Sequence, residues 1–153
     1  MDNNNYEKNI ENRSLIKFIL GLVPRFFYFF KNKYYVAIAK RKGAVIGRFT
    51  VINSGLAKRS NSNLIIGDNC CIQSYDLDLR SKIVIGNNVI IGSNVKIITA
   101  SHNIHSTQWE VKYYGLNIND FVWLATDVSI LPSCREIGYG TVCGAGSVVV
   151  KST

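Results

Sequence analysis

The sequence predicts an all-β fold: a parallel β-helix of about five triangular coils, with a short helical segment in front of it and one loop extruded from its side. Three observations predict it. From Ala44 onward, aliphatic or small apolar residues recur at Ile46, Ile52, Ile66, Ile72, Leu79, Ile85, Ile91, Ile97, Ile118, Leu124, Ile130, Ile137, Cys143 and Val149, mostly six or seven residues apart. Two positions before most of these anchors stands a second small or apolar residue, among them Leu64, Cys70, Leu77, Ile83, Val89, Val95, Leu116, Val122 and Val128. Directly after many anchors comes Gly or Asn, as at Gly47, Asn53, Gly67, Gly86, Gly92, Asn119, Gly138 and Gly144.

Each observation has a physical reading. Apolar residues at i−2 and i are the period of a strand with one face buried. Gly and Asn are the residue types that best tolerate positive φ, so a sharp corner is expected right after each anchor. Three such strands close one coil of roughly eighteen residues, and stacked coils share backbone hydrogen bonds at the parallel strand spacing of about 4.8 Å. A helical solenoid is a poor alternative, because β-branched residues crowd the anchors and no 3.6-residue stripe follows Ala44.

The breaks in the period carry information too. Between Ile52 and Ile66 the step is fourteen residues, so residues 54–62 are expected to leave the prism as a loop. Between Ile97 and Ile118 it is twenty-one, so about fifteen residues are extruded, a length uncommon in a compact repeat unless the loop has a task. Arg135 falls in a seven-residue step and breaks the apolar pattern.

Two parts are therefore expected: an amino-terminal helical, aromatic and basic segment over residues 1–43, and the β-helix domain over 44–153. In the first, residues 15–30 come closest to a membrane span. Lys17, Pro24 and Arg25 interrupt it, and the longest clean apolar run is six residues, too short to cross. It reads either as helix packing on the end of the domain or as an element resting on a membrane surface, with Phe26, Phe27, Tyr28, Phe29 and Phe30 beside Lys31 and Lys33. The formal charge of +8 favours anionic partners. No nucleic acid is expected, because the cations do not form a stripe with interleaved stacking aromatics. Cys70, Cys71, Cys134 and Cys143 lack the spacing of a zinc site, and the chain shows no secretory leader. They read as reduced, buried side chains of a cytoplasmic protein, membrane-associated at most, with no metal expected.

The extruded loop reads TASHNIHSTQWEVKYYG over residues 99–115 and holds both histidines, His102 and His105. A neutral imidazole within hydrogen-bond reach can accept a proton from an attacking group, so either ring is a candidate general base. Trp109, Tyr113 and Tyr114 either offer a stacking surface to a ligand or cover the neighbouring coil. His105 either contacts substrate, assists His102, or is a solvated loop residue.

These hexads, together with VWLATDVSILPSCREIG at 122–138 and GAGSVVVK at 144–151, resemble the hexapeptide-repeat acyltransferases, in particular the galactoside, maltose and capsular-polysaccharide O-acetyltransferases. The resemblance covers residues 44–151. It implies a left-handed coil, a hand that the general crossover rule does not supply. It implies a homotrimer with active sites between subunits, acetyl-CoA as co-substrate, and transfer of an acetyl group to a hydroxyl of a carbohydrate acceptor. His102 matches the family's catalytic histidine and is the expected general base. Gln73 stands where relatives carry an Asn that contacts the reacting centre. The family's cofactor contacts fall on Trp123, Thr126, Ala145, Val150 and Lys151, of which Trp123 reads equally as trimer packing. Members continue with a proline-containing segment and a basic tail that hold the adenine end of coenzyme A, whereas this sequence ends at Thr153. The expectation is either a longer natural chain or a weaker hold on acetyl-CoA. A γ-type carbonic anhydrase needs three histidines where two exist, and a serine O-acetyltransferase needs a larger helical domain in front. An antibiotic or an amino sugar as acceptor, and a non-catalytic scaffold, stay open as alternatives.

Overall fold

The computed structural model describes residues 15–153, so expectations for residues 1–14 lie outside the described residues. Helix α1 spans Leu15–Arg41. The chain divides into two compact units between Lys33 and Tyr34, the first holding the amino-terminal turns of α1 and the second everything that follows.

In the second unit, α1 ends because Gly43 takes φ +97°, a left-handed conformation that costs glycine little. The Ala44 N–H then bonds the Ala39 carbonyl at 3.1 Å and the Gly43 N–H bonds that of Lys40 at 3.0 Å, which satisfies the last carbonyls of the helix. Lys40 and Arg41 in the last turn lie where the helix dipole favours positive charge. Ala39 and Ala44 are both buried, so the helix end is joined directly to the core.

From there the backbone winds through three parallel sheets. The first holds β1 (Val45–Ile46), β3 (Leu64–Ile66), β5 (Ile83–Ile85), β10 (Leu116–Ile118) and β13 (Glu136–Ile137) in that order. The second holds β2 (Val51–Ile52), β4 (Cys71–Ile72), β6 (Ile90–Ile91), β11 (Trp123–Leu124) and β14 (Val142–Cys143). In the third, β7 (Lys96–Ile97), β12 (Ser129–Ile130) and β15 (Val148–Val149) pair, and an isolated bridge joins Leu77 to Ile97. Equivalent anchors lie in register from coil to coil: Ile46, Ile66, Ile85, Ile118 and Ile137 form one ladder, and Ile52, Ile72, Ile91, Leu124 and Cys143 another. All of these anchors point inward and are buried, as is most of the row two positions earlier. The expected parallel-strand coil architecture is observed.

Two local expectations need correction. Positive φ does not fall on the residue after the anchor. It falls three residues after, at Phe49, Asn69, Asn88, Asn94, Phe121, Asp127, Gly140 and Gly146. The glycines directly after the anchors, Gly144 excepted, serve close approach instead. A Cβ on Gly67 would lie 2.5 Å from Asn87 Oδ1 and 2.6 Å from the Gly86 carbonyl oxygen of the next coil, and Gly47 and Gly86 are crowded in the same way by Asp68 and Asp120. Those side chains are there for a reason: Asp68, Asn87 and Asp120 accept the N–H of Arg48, Asp68 and Asn87 respectively, at 2.7 to 2.8 Å. Glycine in one coil makes room for the side-chain oxygen that caps its corner from the next. Where that row reaches Tyr139, which has no such oxygen, the preceding coil carries Asn119 in place of glycine.

Residues 54–62 do not leave the prism. Ser54–Arg59 form a short helix, α2, whose first turn is capped by Asn53 Oδ1 accepting the Leu56 N–H at 2.8 Å. Leu56 and Ala57 are fully buried, so the segment fills the core with helix in the first coil. The excursion after β7 leaves the coil, and its two sides are paired. Ala100–His102 (β8) and Val111–Tyr113 (β9) pair antiparallel, making a hairpin arm.

Candidate active site

The hairpin leaves the prism between β7 of the third sheet and β10 of the first, and its neck is tied at Thr99, which is 1% exposed. The Thr99 carbonyl accepts the Tyr114 N–H at 2.7 Å, closing the arm on itself. On the other side the Thr99 N–H donates to Asp78 Oδ2 at 3.1 Å, and Thr99 Oγ1 donates to the Asp78 carbonyl at 2.8 Å. Asp78 is gripped by Arg80 through Nε–Oδ1 and Nη2–Oδ2 contacts of 2.8 Å each. These Arg80 hydrogen bonds, helped by the Thr99 and Arg80 N–H groups and opposed by burial, hold the Asp78 carboxyl well below the usual carboxylate range. Across the arm, Arg135 stacks on the Tyr114 ring at 4.0 Å, so Tyr114 covers the neighbouring coil. That also gives the out-of-pattern Arg135 a place.

At the outer end of β8, His102 faces Trp109. Nδ1 lies 2.6 Å from the Trp109 carbonyl oxygen, and the two rings meet edge to face at 6.5 Å. A carbonyl oxygen only accepts, so in the neutral ring Nδ1 carries the hydrogen and Nε2 keeps its lone pair. Trp109 takes φ +51° to present that carbonyl, an uncommon conformation for a bulky residue. The tip is built from turns in which the Ser106 and Trp109 N–H groups bond the Asn103 and Ser106 carbonyls. His105 sits there, exposed, with its N–H 3.4 Å from Asn103 Oδ1. The Tyr113 side chain is exposed on β9, where Tyr113 pairs with Ala100.

The remaining candidates fall elsewhere on the prism. Gln73, Thr126 and Ala145 lie along the edge between the second and third sheets, each one or two residues past its anchor. Gln73 is held in its corner: its carbonyl accepts Asn53 Nδ2 at 2.6 Å, and its Oε1 accepts Ser93 Oγ at 3.1 Å. The corner Gly144-Ala145-Gly146 borders open space, with nothing within 4 Å of a Cβ placed on either glycine. Small residues facing open space suit close approach by a slender chain such as pantetheine. Val150 and Lys151 follow β15 and are exposed, and the Val150 carbonyl accepts Ser133 Oγ at 2.6 Å. Trp123 points outward from the second sheet, half exposed. Within one chain, then, His102 is joined to Trp109 and Tyr113 on the hairpin, while the corner candidates occupy a different edge of the prism.

Sequence reasoning missed the tie at the hairpin neck. Asp78 and Arg80, with Arg59, Asn61, Asp76 and Lys96, line a groove of about 710 Å³ on the third-sheet side. The signal was present in DLDLR at 76–80, where alternation sends Leu77 and Leu79 inward and Asp76, Asp78 and Arg80 outward. Among the described residues no group of three or more His, Cys, Asp or Glu side chains could hold a metal ion. The four cysteines are free; Cys70, Cys134 and Cys143 are buried, and burial pushes their thiols up.

A triangular parallel β-helix built on hexads, with a histidine-bearing arm between coils, defines a class of protein, and the comparisons agree with it. A protein from Escherichia coli (strain K12) that carries the name of the colanic acid biosynthesis acetyltransferase WcaF is 33% identical over 111 residues, covering 72% of this chain and 60% of the relative. A galactoside O-acetyltransferase of Lactococcus lactis is 41% identical over 56% of this chain and 53% of its own. A hexapeptide-repeat acetyltransferase of Vibrio cholerae, crystallised with acetyl coenzyme A, superposes with a TM-score of 0.50 at 27% identity, over 73% of this chain and 52% of that one. No family model matches the sequence. The chain is similar in sequence and fold to hexapeptide-repeat acetyltransferases, among them proteins named as sugar and polysaccharide O-acetyltransferases. It spans between about half and three fifths of the length of these relatives.

Proposed function

We propose that the protein transfers the acetyl group of acetyl-CoA to a hydroxyl of a carbohydrate acceptor, with His102 as general base. One observation carries this reading: the hydrogen bond from Nδ1 to the Trp109 carbonyl, which leaves Nε2 as the free acceptor on an exposed arm. Nε2 takes the proton of the acceptor hydroxyl as its oxygen attacks the thioester carbon. The tetrahedral intermediate collapses with loss of the coenzyme A thiolate, which receives that proton from the imidazolium. No covalent acyl-enzyme is needed. Backbone N–H groups at a coil corner are the available donors to the oxyanion, with Gln73 as the side-chain candidate.

In this reading the site is shared between subunits of a homotrimer whose coils have the family's left hand. Two features support sharing. His102 and the corner residues Thr126 and Ala145 belong to different edges of one chain. In addition, Val51, Cys71, Ile90, Trp123 and Val142 form a ladder in register on the outer face of the second sheet, of which Ile90, Trp123 and Val142 are substantially exposed. An outward apolar row of that length suits burial against another copy. Thr126, Ala145 and Val150 would line the pantetheine arm, Trp123 would pack near it, and Lys151 would offer charge to the phosphates. Trp109, Tyr113 and His105 face the acceptor from the arm, the aromatic rings offering a stacking surface for a sugar.

The test follows free thiol when the protein is given acetyl-CoA and a panel of saccharides, amino sugars included. At least one hydroxyl acceptor should drive thiol release, and His102→Ala should lower kcat by about 10² to 10⁴. Equal, slow release by wild type and His102→Ala with every acceptor would turn the protein into a non-catalytic scaffold.

A further inference from the structure

The acetyl transfer reading leaves the amino-terminal unit without a use, and that unit has unusual chemistry. From Asn12 to Lys33 it holds five Lys and Arg residues and no Asp or Glu, after Asp2, Glu7 and Glu11 at its start. In helix α1 the side chains of Leu20, Phe26, Phe27 and Phe30 are 60 to 73% exposed. At about 100° per residue these four share one sector of the helix about 120° wide, while Tyr28 and Phe29, also exposed, lie outside it. Lys31 falls at one border of this sector and Lys33 beyond the other, while Arg25 lies on the opposite side. Lys33 Nζ lies 5.3 Å from the centre of the Phe29 ring, and Phe29 meets Phe30 edge to face at 5.8 Å, so the cation folds along the aromatic surface. Among the described residues no helix is long and apolar enough to cross a membrane.

From these features we infer that the amino-terminal turns of α1 lie in the surface of an anionic lipid bilayer, with Leu20, Phe26, Phe27 and Phe30 inserted among the acyl chains and Arg25, Lys31 and Lys33 at the headgroups. Each feature is what such a helix requires. Leu20 and three Phe rings in one sector supply the apolar contact, flanking Lys side chains reach back to the phosphates, and the absence of carboxylates from Leu15–Arg41 removes repulsion along the helix from an anionic surface. A second copy of the helix fits less well as the occupant, because Leu15–Arg41 contains basic residues and no Asp or Glu, so two such faces would set like charges against one another. The inference does not depend on the acceptor or on His102.

The experiment sediments the full chain with vesicles of phosphatidylcholine alone or of phosphatidylcholine containing phosphatidylglycerol, at low and high salt. Three proteins are compared: wild type, the triple variant Phe26→Ser, Phe27→Ser, Phe30→Ser, and the double variant Lys31→Glu, Lys33→Glu. Wild type should pellet with the anionic vesicles and bind the neutral ones at least about tenfold less. Both variants should lose binding to anionic vesicles by about tenfold or more while keeping the circular dichroism and thermal midpoint of the coil domain. Wild type that stays in the supernatant with anionic vesicles at low salt overturns the inference. So does a triple variant that pellets like wild type. A triple variant that changes oligomeric mass while still binding vesicles assigns the apolar sector to self-association and overturns it equally.

Discussion

Gly67 and Gly144 occupy the same place in the repeat, one residue after an anchor, yet they should respond differently to the same substitution. Neither has positive φ. A Cβ on Gly67 would meet Asn87 Oδ1 at 2.5 Å, the Gly86 carbonyl oxygen at 2.6 Å and the Gly86 carbonyl carbon at 2.8 Å. Rotating Asn87 away would relieve only the first contact and would give up the 2.8 Å bond that its Oδ1 accepts from the Asp68 N–H. The other two contacts are backbone, so the coils must move apart. Overpacking of this kind costs about 1 to 3 kcal/mol. With ~4 °C of melting temperature per kcal/mol for a chain of this size, Gly67→Ala should melt about 4 to 12 °C below wild type. A Cβ on Gly144 meets nothing within 4 Å, and Gly144→Ala should stay within about 0.5 kcal/mol of wild type. Thermal and urea unfolding followed by circular dichroism reads both. Equal losses in the two variants would refute the close-approach argument and restore the idea that these glycines serve the corner's dihedral angles.

Asn69 has φ +57°, so Asn69→Ala should cost about 1 kcal/mol and Asn69→Gly much less, read from the same melts. Asp78→Asn loosens the tie between Arg80 and the hairpin neck. Because the folded carboxyl ionises more readily than the unfolded one, its contribution is fully present above the unfolded pKa of about 4 and is lost as pH falls through the lowered folded value. The stability gap between wild type and Asp78→Asn should therefore be constant from neutral pH down to about 5 and close under stronger acid; a gap that stays open there would contradict the assignment. Trp123→Glu places a charge in the middle of the apolar ladder on the second sheet. Light scattering should find three chains per particle in wild type and fewer in the variant, and an unchanged mass would move the subunit contact to another face.

Much of the fold was legible because one physical signal, the buried anchor, repeats. Ile66, Ile85 and Ile118 had to face the same interior for the hexads to close, and the register ladders place them there. What was not legible depends on contacts between coils. The glycine at position 67 and the asparagine at 87 are linked across a stacking distance that no single hexad contains. Residues 54–62 read as a loop because their length breaks the period, although Asn53 as a cap and the adjacent Leu56 and Ala57 carried a helical signal. In the candidate site His102 stood out through the long excursion around it. The features that orient that excursion, the Asp78–Arg80 pair and the Trp109 carbonyl, come from the preceding coil in one case and from a backbone atom in the other. Neither a backbone carbonyl nor a left-handed Trp109 announces itself in a string of residue types.

The central claim concerns a single hydrogen. Long-range nitrogen–proton correlation spectra of the ¹⁵N-labelled protein above the titration range of imidazole, with His105→Gln to assign the two rings, report which nitrogen of His102 is protonated. The account predicts hydrogen on Nδ1 and a bare Nε2. A spectrum with the hydrogen on Nε2 would leave the ring with no lone pair toward an acceptor, and His102 could not be the base.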